Sequence, residues 1–439
     1  MTIGPSSWQS RLVSAAEGLG GRTARDPRFR NLAGLMAGFL ISRGALFLNQ
    51  TWLILSGKVA FLADFGIAYL LVSLASQIVD WGGQMLLARD VLIQNWDDAR
   101  QSFWSLSLVR ALLAAIFCAV VVVVQLGEIH IVTPMLRAYL VYASIGVVVS
   151  AINATGPLDG LGYSGYNGLI SSLPTLFSAL AIPYAAGEDG ARAGTALGAA
   201  YSLGSILSVA LQHILLALRN RPLRLRAPAS FAQVWGSAAD GYHVVLATLP
   251  GQFFYRVQVL GAAAIGAGVA GSFLYAKQIV SGFTQLAWFC RRTELSRFAD
   301  AIRTPRPRMF SIAARALNVR VSFAAAVFVS IAGAAGAFLL PARLHLAMLL
   351  LTALSVTIAT GPISETLVQL YTFVGRQAVA AYATCAAMLI GSAAVFVFSR
   401  FIGAYGLVAA EVLAHTILAL IFLRAQALSP RTSTEAGRP

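Results

Sequence analysis

Nine ionisable side chains fall inside stretches that are otherwise apolar: Arg43, Arg110, Asp240, His243, Arg256, Lys277, Glu365, Glu411 and His415. An Asp, Lys or Arg at the centre of a membrane helix costs about 2.5–3.5 kcal/mol on insertion scales, so such groups face a wet cavity or one another. Arg43, Arg110, Arg256 and Lys277 are cations that could line a cavity and attract an anionic substrate such as a pyrophosphate-linked sugar. Asp240 and His243 are three apart and share a helix face. With Glu365, which follows Gly361-Pro362, they could couple transport to H⁺ or Na⁺. Plainer roles compete with these. Asp240 could neutralise Arg43 or Arg110, Arg110 could snorkel to the headgroups, and Pro362 could simply kink its helix. Glu411 and His415 are four apart and fit a local pair.

No constellation of nucleophile and base, no phosphate loop and no zinc spacing is present, so no catalytic residue, metal or organic cofactor is expected. The three cysteines, Cys118, Cys290 and Cys385, are far apart, lie in or beside apolar spans, and read as small hydrophobic residues. The acidic pair Asp97-Asp98 stands alone, without a nucleotide-binding domain around it.

The elements that must carry these residues are membrane helices. The chain of 439 residues is 58% hydrophobic and 11% charged, with a mean hydropathy of +0.74. A soluble chain of that size needs far more polar surface. Runs of about 20 apolar residues suffice to cross the hydrocarbon core, and must be helical because lipid satisfies no backbone group. Twelve such runs are read at 32–55, 65–87, 103–126, 134–153, 168–186, 194–218, 233–262, 271–294, 316–340, 344–374, 378–401 and 406–423. The expected fold class is an all-α polytopic membrane protein, with about twelve helices in two six-helix bundles around a central cavity. The expected layout is a basic tail over 1–31, a first bundle over 32–218, a linker over 219–232, a second bundle over 233–424 and a disordered tail over 425–439.

The net charge of +15 comes from arginines in the loops between spans. No basic face interleaved with aromatics points to nucleic acid. With the N-terminus inside, the arginine-rich connectors fall on one side, including Arg89, Arg100, Arg219, Arg291, Arg292 and Arg376. The other side holds only Lys58, Arg137, Arg192, Arg343 and Arg400, so both termini are expected in the cytoplasm. No secretory signal peptide is seen at the N-terminus. The glycine-rich stretch 155–166 reads as a cytoplasmic turn, with a short re-entrant piece as the alternative.

Two stretches carry a family resemblance. Leu55-Ser56-Gly57, then Asp64-Phe65-Gly66-Ile67-Ala68-Tyr69, then Asp80-Trp81-Gly82-Gly83, resemble the opening of the polysaccharide-biosynthesis membrane proteins. These are Wzx-type flippases of the multidrug/oligosaccharidyl-lipid/polysaccharide (MOP) exporter superfamily. Tyr255-Arg256 through Gly261, with Ala270-Gly271-Ser272-Phe273-Leu274-Tyr275-Ala276-Lys277, is similar to that family's seventh and eighth spans, although the family often has Asp-Arg at the first position. The resemblance implies a transporter of the bacterial inner membrane rather than an enzyme. It would flip a lipid-linked repeat unit of O-antigen, capsule or exopolysaccharide by alternating access. Its partners would be an undecaprenyl-pyrophosphate type glycan, membrane lipids and glycan polymerase machinery. The alternatives are a lipid II-type flippase or a drug/cation antiporter of the same superfamily, and then a membrane glycan polymerase or glycosyltransferase, against which the short outer loops argue.

Overall fold

A computed structural model describes residues 27–127, 133–226, 230–302 and 308–427. The tails expected over 1–31 and 425–439 lie outside the described residues, apart from 27–31 and 425–427. Among the described residues the chain is helical throughout, with no strand. In order the helices are α1 (Pro27–Leu55), α2 (Val59–Asp80), α3 (Gly83–Ile93), α4 (Trp96–Leu126), α5 (Pro134–Ser150), α6 (Thr155–Gly160), α7 (Ser164–Ser171), α8 (Leu173–Ala185) and α9 (Gly190–Leu218). There follow α10 (Phe231–Ile265), α11 (Ala267–Thr293), α12 (Leu295–Ile302), α13 (Met309–Ala314), α14 (Leu317–Leu339), α15 (His345–Phe373), α16 (Gln377–Ile402) and α17 (Tyr405–Ala427).

Nine spans among the described residues are long and apolar enough to cross a membrane, and α5 is a shorter apolar helix. Helices α10 and α11, 35 and 27 residues long, are also of spanning length but more polar, because they carry Asp240, His243, Arg256, Gln258 and Lys277. These helices correspond to the twelve runs read from the sequence. Two details differ. The turn read over 55–66 is confined to Ser56–Lys58, because α2 already starts at Val59. The run 65–87 is not one helix but two, broken at Trp81-Gly82.

The chain forms two compact units. The first comprises residues 1–76 and 111–223, and the second residues 77–110 and 224–439. The stretch 77–110, placed by sequence order in the first bundle, thus clusters with the second unit.

In the first unit, α9 packs along α5 and α8, while α1 lies on α7 and α8. Small residues allow the close approach typical of membrane helices. A Cβ at Gly34 would lie 2.6 Å from the Gly165 carbonyl oxygen, and one at Gly194 would lie 2.1 Å from that of Met135. The glycine-rich stretch 155–166 contains the short helix α6 and is tied down by buried polar groups. Asn31 donates to the Gly162 carbonyl at 2.7 Å. Gln212 accepts from Ala154 N–H at 2.8 Å and donates to Asn167 Oδ1 at 3.1 Å. Asn167 in turn donates to Asp159 Oδ1 at 2.9 Å.

In the second unit, α15 is the central helix and packs on α11, α14 and α17, while α10 packs on α16 and α16 on α17. Its apolar core gathers Phe254, Phe273, Leu350, Leu354, Ile358, Val395 and Leu407. Helix α3 joins this unit against α10, α12 and α15.

Candidate functional site

Two clusters of polar groups in the second unit hold most of the ionisable residues read from the sequence. The first surrounds Asp80-Trp81-Gly82-Gly83. Trp81 and Gly82 sit at φ +48° and +71°, in the left-handed region. That conformation costs a bulky residue of order 1–3 kcal/mol and persists only where its surroundings hold it. Here the Trp81 indole Nε1 donates to the Ala238 carbonyl at 2.8 Å. Gly241 supplies the space, since a Cβ there would lie 2.0 Å from Trp81 Cδ1. Asp80, the last residue of α2, accepts from Gln84 N–H at 3.2 Å and so caps the start of α3.

Arg110 locks the break from the α4 side. Its Nη2 meets Asp80 Oδ1 at 2.5 Å and its Nε donates to the Asp80 carbonyl at 2.9 Å. The Arg110 side chain is 0% exposed. A Cβ on Gly83 would fall 1.7 Å from Arg110 Nη2, so the second glycine of the motif makes room for the guanidinium. Arg89 on α3 pairs with Asp90 at 2.9 Å and reaches Asp240 on α10 at 3.7 Å. Gln377 Nε2 donates to the other oxygen of Asp240.

The second cluster joins α10, α11, α15 and α17. Lys277 Nζ bridges both carboxylate oxygens of Glu411, at 2.5 and 2.6 Å. Gln258 donates to Glu411 Oε2 at 2.9 Å and to the Leu407 carbonyl at 3.1 Å. Arg291 Nη1 lies 3.1 Å from Glu365 Oε2. His415 Nδ1 and Gln258 Oε1 are buried without a hydrogen-bond partner.

The residues singled out in the sequence therefore sort clearly. Arg43 on α1 and Arg256 on α10 are exposed and make no ion pair or hydrogen bond through their side chains among the described residues. Arg110 and Lys277 are engaged by Asp80 and Glu411, so their charges are satisfied inside the second unit in this conformation. Asp240 meets Arg89 rather than Arg43 or Arg110. His243 stacks edge-on with Tyr242 and Tyr382 and makes no ion pair with Asp240. The local pair expected between Glu411 and His415 gives way to the Lys277 contact, because the ammonium can bridge both carboxylate oxygens. Arg89 and Arg291 fall in the sequence among the loop charges that set orientation, yet each closes an ion pair. The signal that could have found them is the rule that an intramembrane carboxylate needs a cation. Among the described residues no group of three or more His, Cys, Asp or Glu side chains could hold a metal ion.

No protein-family model and no curated protein matches the chain. Solved structures do. A multidrug resistance MATE family transporter of the MOP superfamily, in an outward-facing conformation, superposes with a TM-score of 0.71 at 14% identity, over 92% of this chain and 96% of its own. The Vibrio cholerae MATE transporter VcmN in its bent form gives a TM-score of 0.70 at 12% identity, over 91% of this chain and 96% of its own. A MOP superfamily transporter from Pyrococcus furiosus, described as having a binding pocket of reverse polarity that suggests a different function, gives 0.68 at 14% identity with 92% and 96% coverage. The chain has the fold of these transporters, an all-helical fold with about twelve membrane helices. With its apolar helices, that makes it a multi-pass membrane protein.

Proposed function

We propose that the protein is a MOP-superfamily transporter that flips an anionic, pyrophosphate-linked glycan across the bacterial inner membrane by alternating access. One observation carries this reading: two arginines on the spans, Arg43 and Arg256, are exposed and make no ion pair among the described residues. The carboxylates Asp80, Glu365 and Glu411 face Arg110, Arg291 and Lys277, and Asp90 and Asp240 share Arg89. Asp64, in the second turn of α2, is the exception. Among the described residues, Arg43 and Arg256 remain exposed on membrane helices and close no ion pair. An arginine in that setting calls for water or an anion, and a pyrophosphate offers its guanidinium bidentate acceptors.

A drug cation would meet the wrong sign of charge. The multidrug description of one structural neighbour favours that second reading. Against it, this fold also houses a protein described with reverse pocket polarity. The positive-inside asymmetry of the loops supports cytoplasmic termini, and lipid II-type carriers belong to the same anionic class of cargo.

The test is leaflet exchange in proteoliposomes. A fluorescent undecaprenyl-pyrophosphate glycan in the outer leaflet should become protected from a membrane-impermeant quencher, while a lipophilic cation should not be expelled. Cation efflux without glycan exchange would replace this reading with the antiporter.

A further inference from the structure

Beside the helix break, one carboxylate is poorly served by its cation. On α3, Arg89 gives Asp90 two contacts at 2.9 Å, from Nε and from Nη2. The same Nη2 lies 3.7 Å from Oδ2 of Asp240 on α10, beyond hydrogen-bond reach. Two carboxylates thus share one guanidinium, and the three groups carry one negative charge in surplus. Gln377, the first residue of α16, is 7% exposed. Its Nε2 donates to Asp240 Oδ1, while its Oε1 is buried with no hydrogen-bond partner. A buried acceptor without a donor is costly, and this one belongs to an amide already in contact with a charged carboxylate. The Asp240 side chain is 39% exposed, so water reaches it. Arg89 and Asp90 are the charged groups that face Asp240 among the described residues. His243, three residues along α10, stacks with Tyr242 and Tyr382, and Arg376 adjoins Gln377 in the chain. Of the other elements packed against α3 and α10, α12 contributes Asp300 and Arg297, the latter paired with Glu294. On α15 and α17, Glu365 is held by Arg291 and Glu411 by Lys277.

We propose that Asp240 is a proton-binding site, and that its protonation closes a two-point acid–amide pair with Gln377 and releases the ionic tie between α3 and α10. A protonated carboxyl offers one O–H donor and one carbonyl acceptor, and a primary amide offers their complement. The bond from Gln377 Nε2 to Asp240 Oδ1 is already half of that pair. A proton from water adds to Oδ2, and the new O–H donates to Gln377 Oε1. The buried amide oxygen gains its donor, and the surplus negative charge is removed. Oδ2 then no longer attracts the guanidinium, so Arg89 stays with Asp90 and α3 loses its ion pair with α10. A metal cation in the same place would stand against the Arg89 guanidinium, whereas a proton leaves a neutral carboxyl. Residues 77–110 are preceded and followed in the chain by the first unit, so the proton controls how firmly this inserted segment is held in the second. The site operates whichever cargo the protein carries, and so goes beyond the flippase reading.

The test uses the full chain in nanodiscs, without cargo, at pH values from about 8 down to about 4, into the ordinary carboxyl range. Two signals are followed. One is hydrogen exchange of peptides from α3, divided by that of peptides from α14 in the same sample, which cancels the intrinsic pH dependence of amide exchange. The other is the infrared C=O band of protonated carboxyls. The α3 ratio should rise severalfold as pH falls, in step with a carboxylic-acid band that Asp240→Asn lacks. In Asp240→Asn, which fixes the neutral state, the ratio should be high at every pH. Gln377→Leu should keep the band but move it to higher frequency, because the carboxyl loses both amide bonds. A merely structural role for Gln377 would not move that band. Replacing sodium with choline should change neither signal. A flat ratio in the unmodified protein, a ratio or band that still follows pH at this site in Asp240→Asn, an unmoved band in Gln377→Leu, or a response to sodium overturns the proposal. A monodisperse elution peak establishes that each variant is folded, and Gln377→Leu carries the test if Asp240→Asn is not. Because no glycan is present, failure here leaves the flippase reading standing, and failure of glycan exchange leaves this result standing.

Discussion

Replacing Asp80 with asparagine removes one negative charge and leaves the shape nearly intact. The structure makes that loss expensive. Arg110 is 0% exposed and its Nη2 lies 2.5 Å from the Asp80 carboxylate. Its bond from Nε to the Asp80 carbonyl survives, but a carbonyl carries no formal charge to offset the guanidinium. Breaking a buried pair from one side costs about 3–5 kcal/mol, because the remaining charge is stranded. The pair also holds Trp81 and Gly82 in left-handed conformations, so the same substitution loosens the junction between α2 and α3. For a unit of 250 residues, spanning 77–110 and 224–439, 1 kcal/mol corresponds to about 2–4 °C, which gives a drop of roughly 6–20 °C in apparent Tm. The assay is thermal unfolding in detergent followed by tryptophan fluorescence. Asp80→Asn combined with Arg110→Met removes both charges and should recover most of the loss, as a double-mutant cycle would register. If Asp80→Asn melts with the parent protein, or the double variant melts no higher than the single one, the pair does not hold this break.

Three further predictions concern packing and hydrogen bonding. Gly241→Ala places a methyl 2.0 Å from Trp81 Cδ1 and 2.6 Å from its carbonyl oxygen, and should cost about 1–3 kcal/mol, seen as an earlier unfolding transition. Gly34→Leu forces α1 away from α7, where even a Cβ would sit 2.6 Å from the Gly165 carbonyl. It should lower stability by at least as much, and faster hydrogen exchange in α1 would mark the loosened contact. Gln212→Leu strands the Ala154 N–H, to which Gln212 Oε1 is the acceptor at 2.8 Å. It should cost about 1–3 kcal/mol and raise proteolytic cutting within 155–166.

The span pattern was legible because it depends only on local hydrophobicity and length. That includes α10 and α11, whose polar residues sit within otherwise apolar helices. The break at Trp81-Gly82 was not legible. It depends on space left by Gly241 and on a carbonyl at Ala238, both about 160 positions away in the chain. The assignment of 77–110 to the second unit was hidden for the same reason, since adjacency in sequence does not fix which bundle a segment packs with. The list of intramembrane charges could be read directly, but their pairing could not. Lys277 and Glu411 are 134 residues apart, whereas the nearer candidate, His415, sits on the same helix as Glu411. Helical spacing favours the local partner, and three-dimensional packing supplies the stronger one.

The central claim is that exposed arginines in the spans handle an anion. Arg43→Ala and Arg256→Ala should change stability by no more than about 0.5 kcal/mol, as exposed substitutions do, so a functional effect can be read separately. The decisive measurement is the rate of leaflet exchange in proteoliposomes for one glycan carried on pyrophosphate, on monophosphate and on a neutral lipid. The account predicts the fastest exchange for the pyrophosphate, slower exchange for the monophosphate and none above background for the neutral carrier, with the double variant Arg43→Ala/Arg256→Ala losing the preference. Equal rates for all three carriers, or an unchanged preference in the double variant, would contradict it.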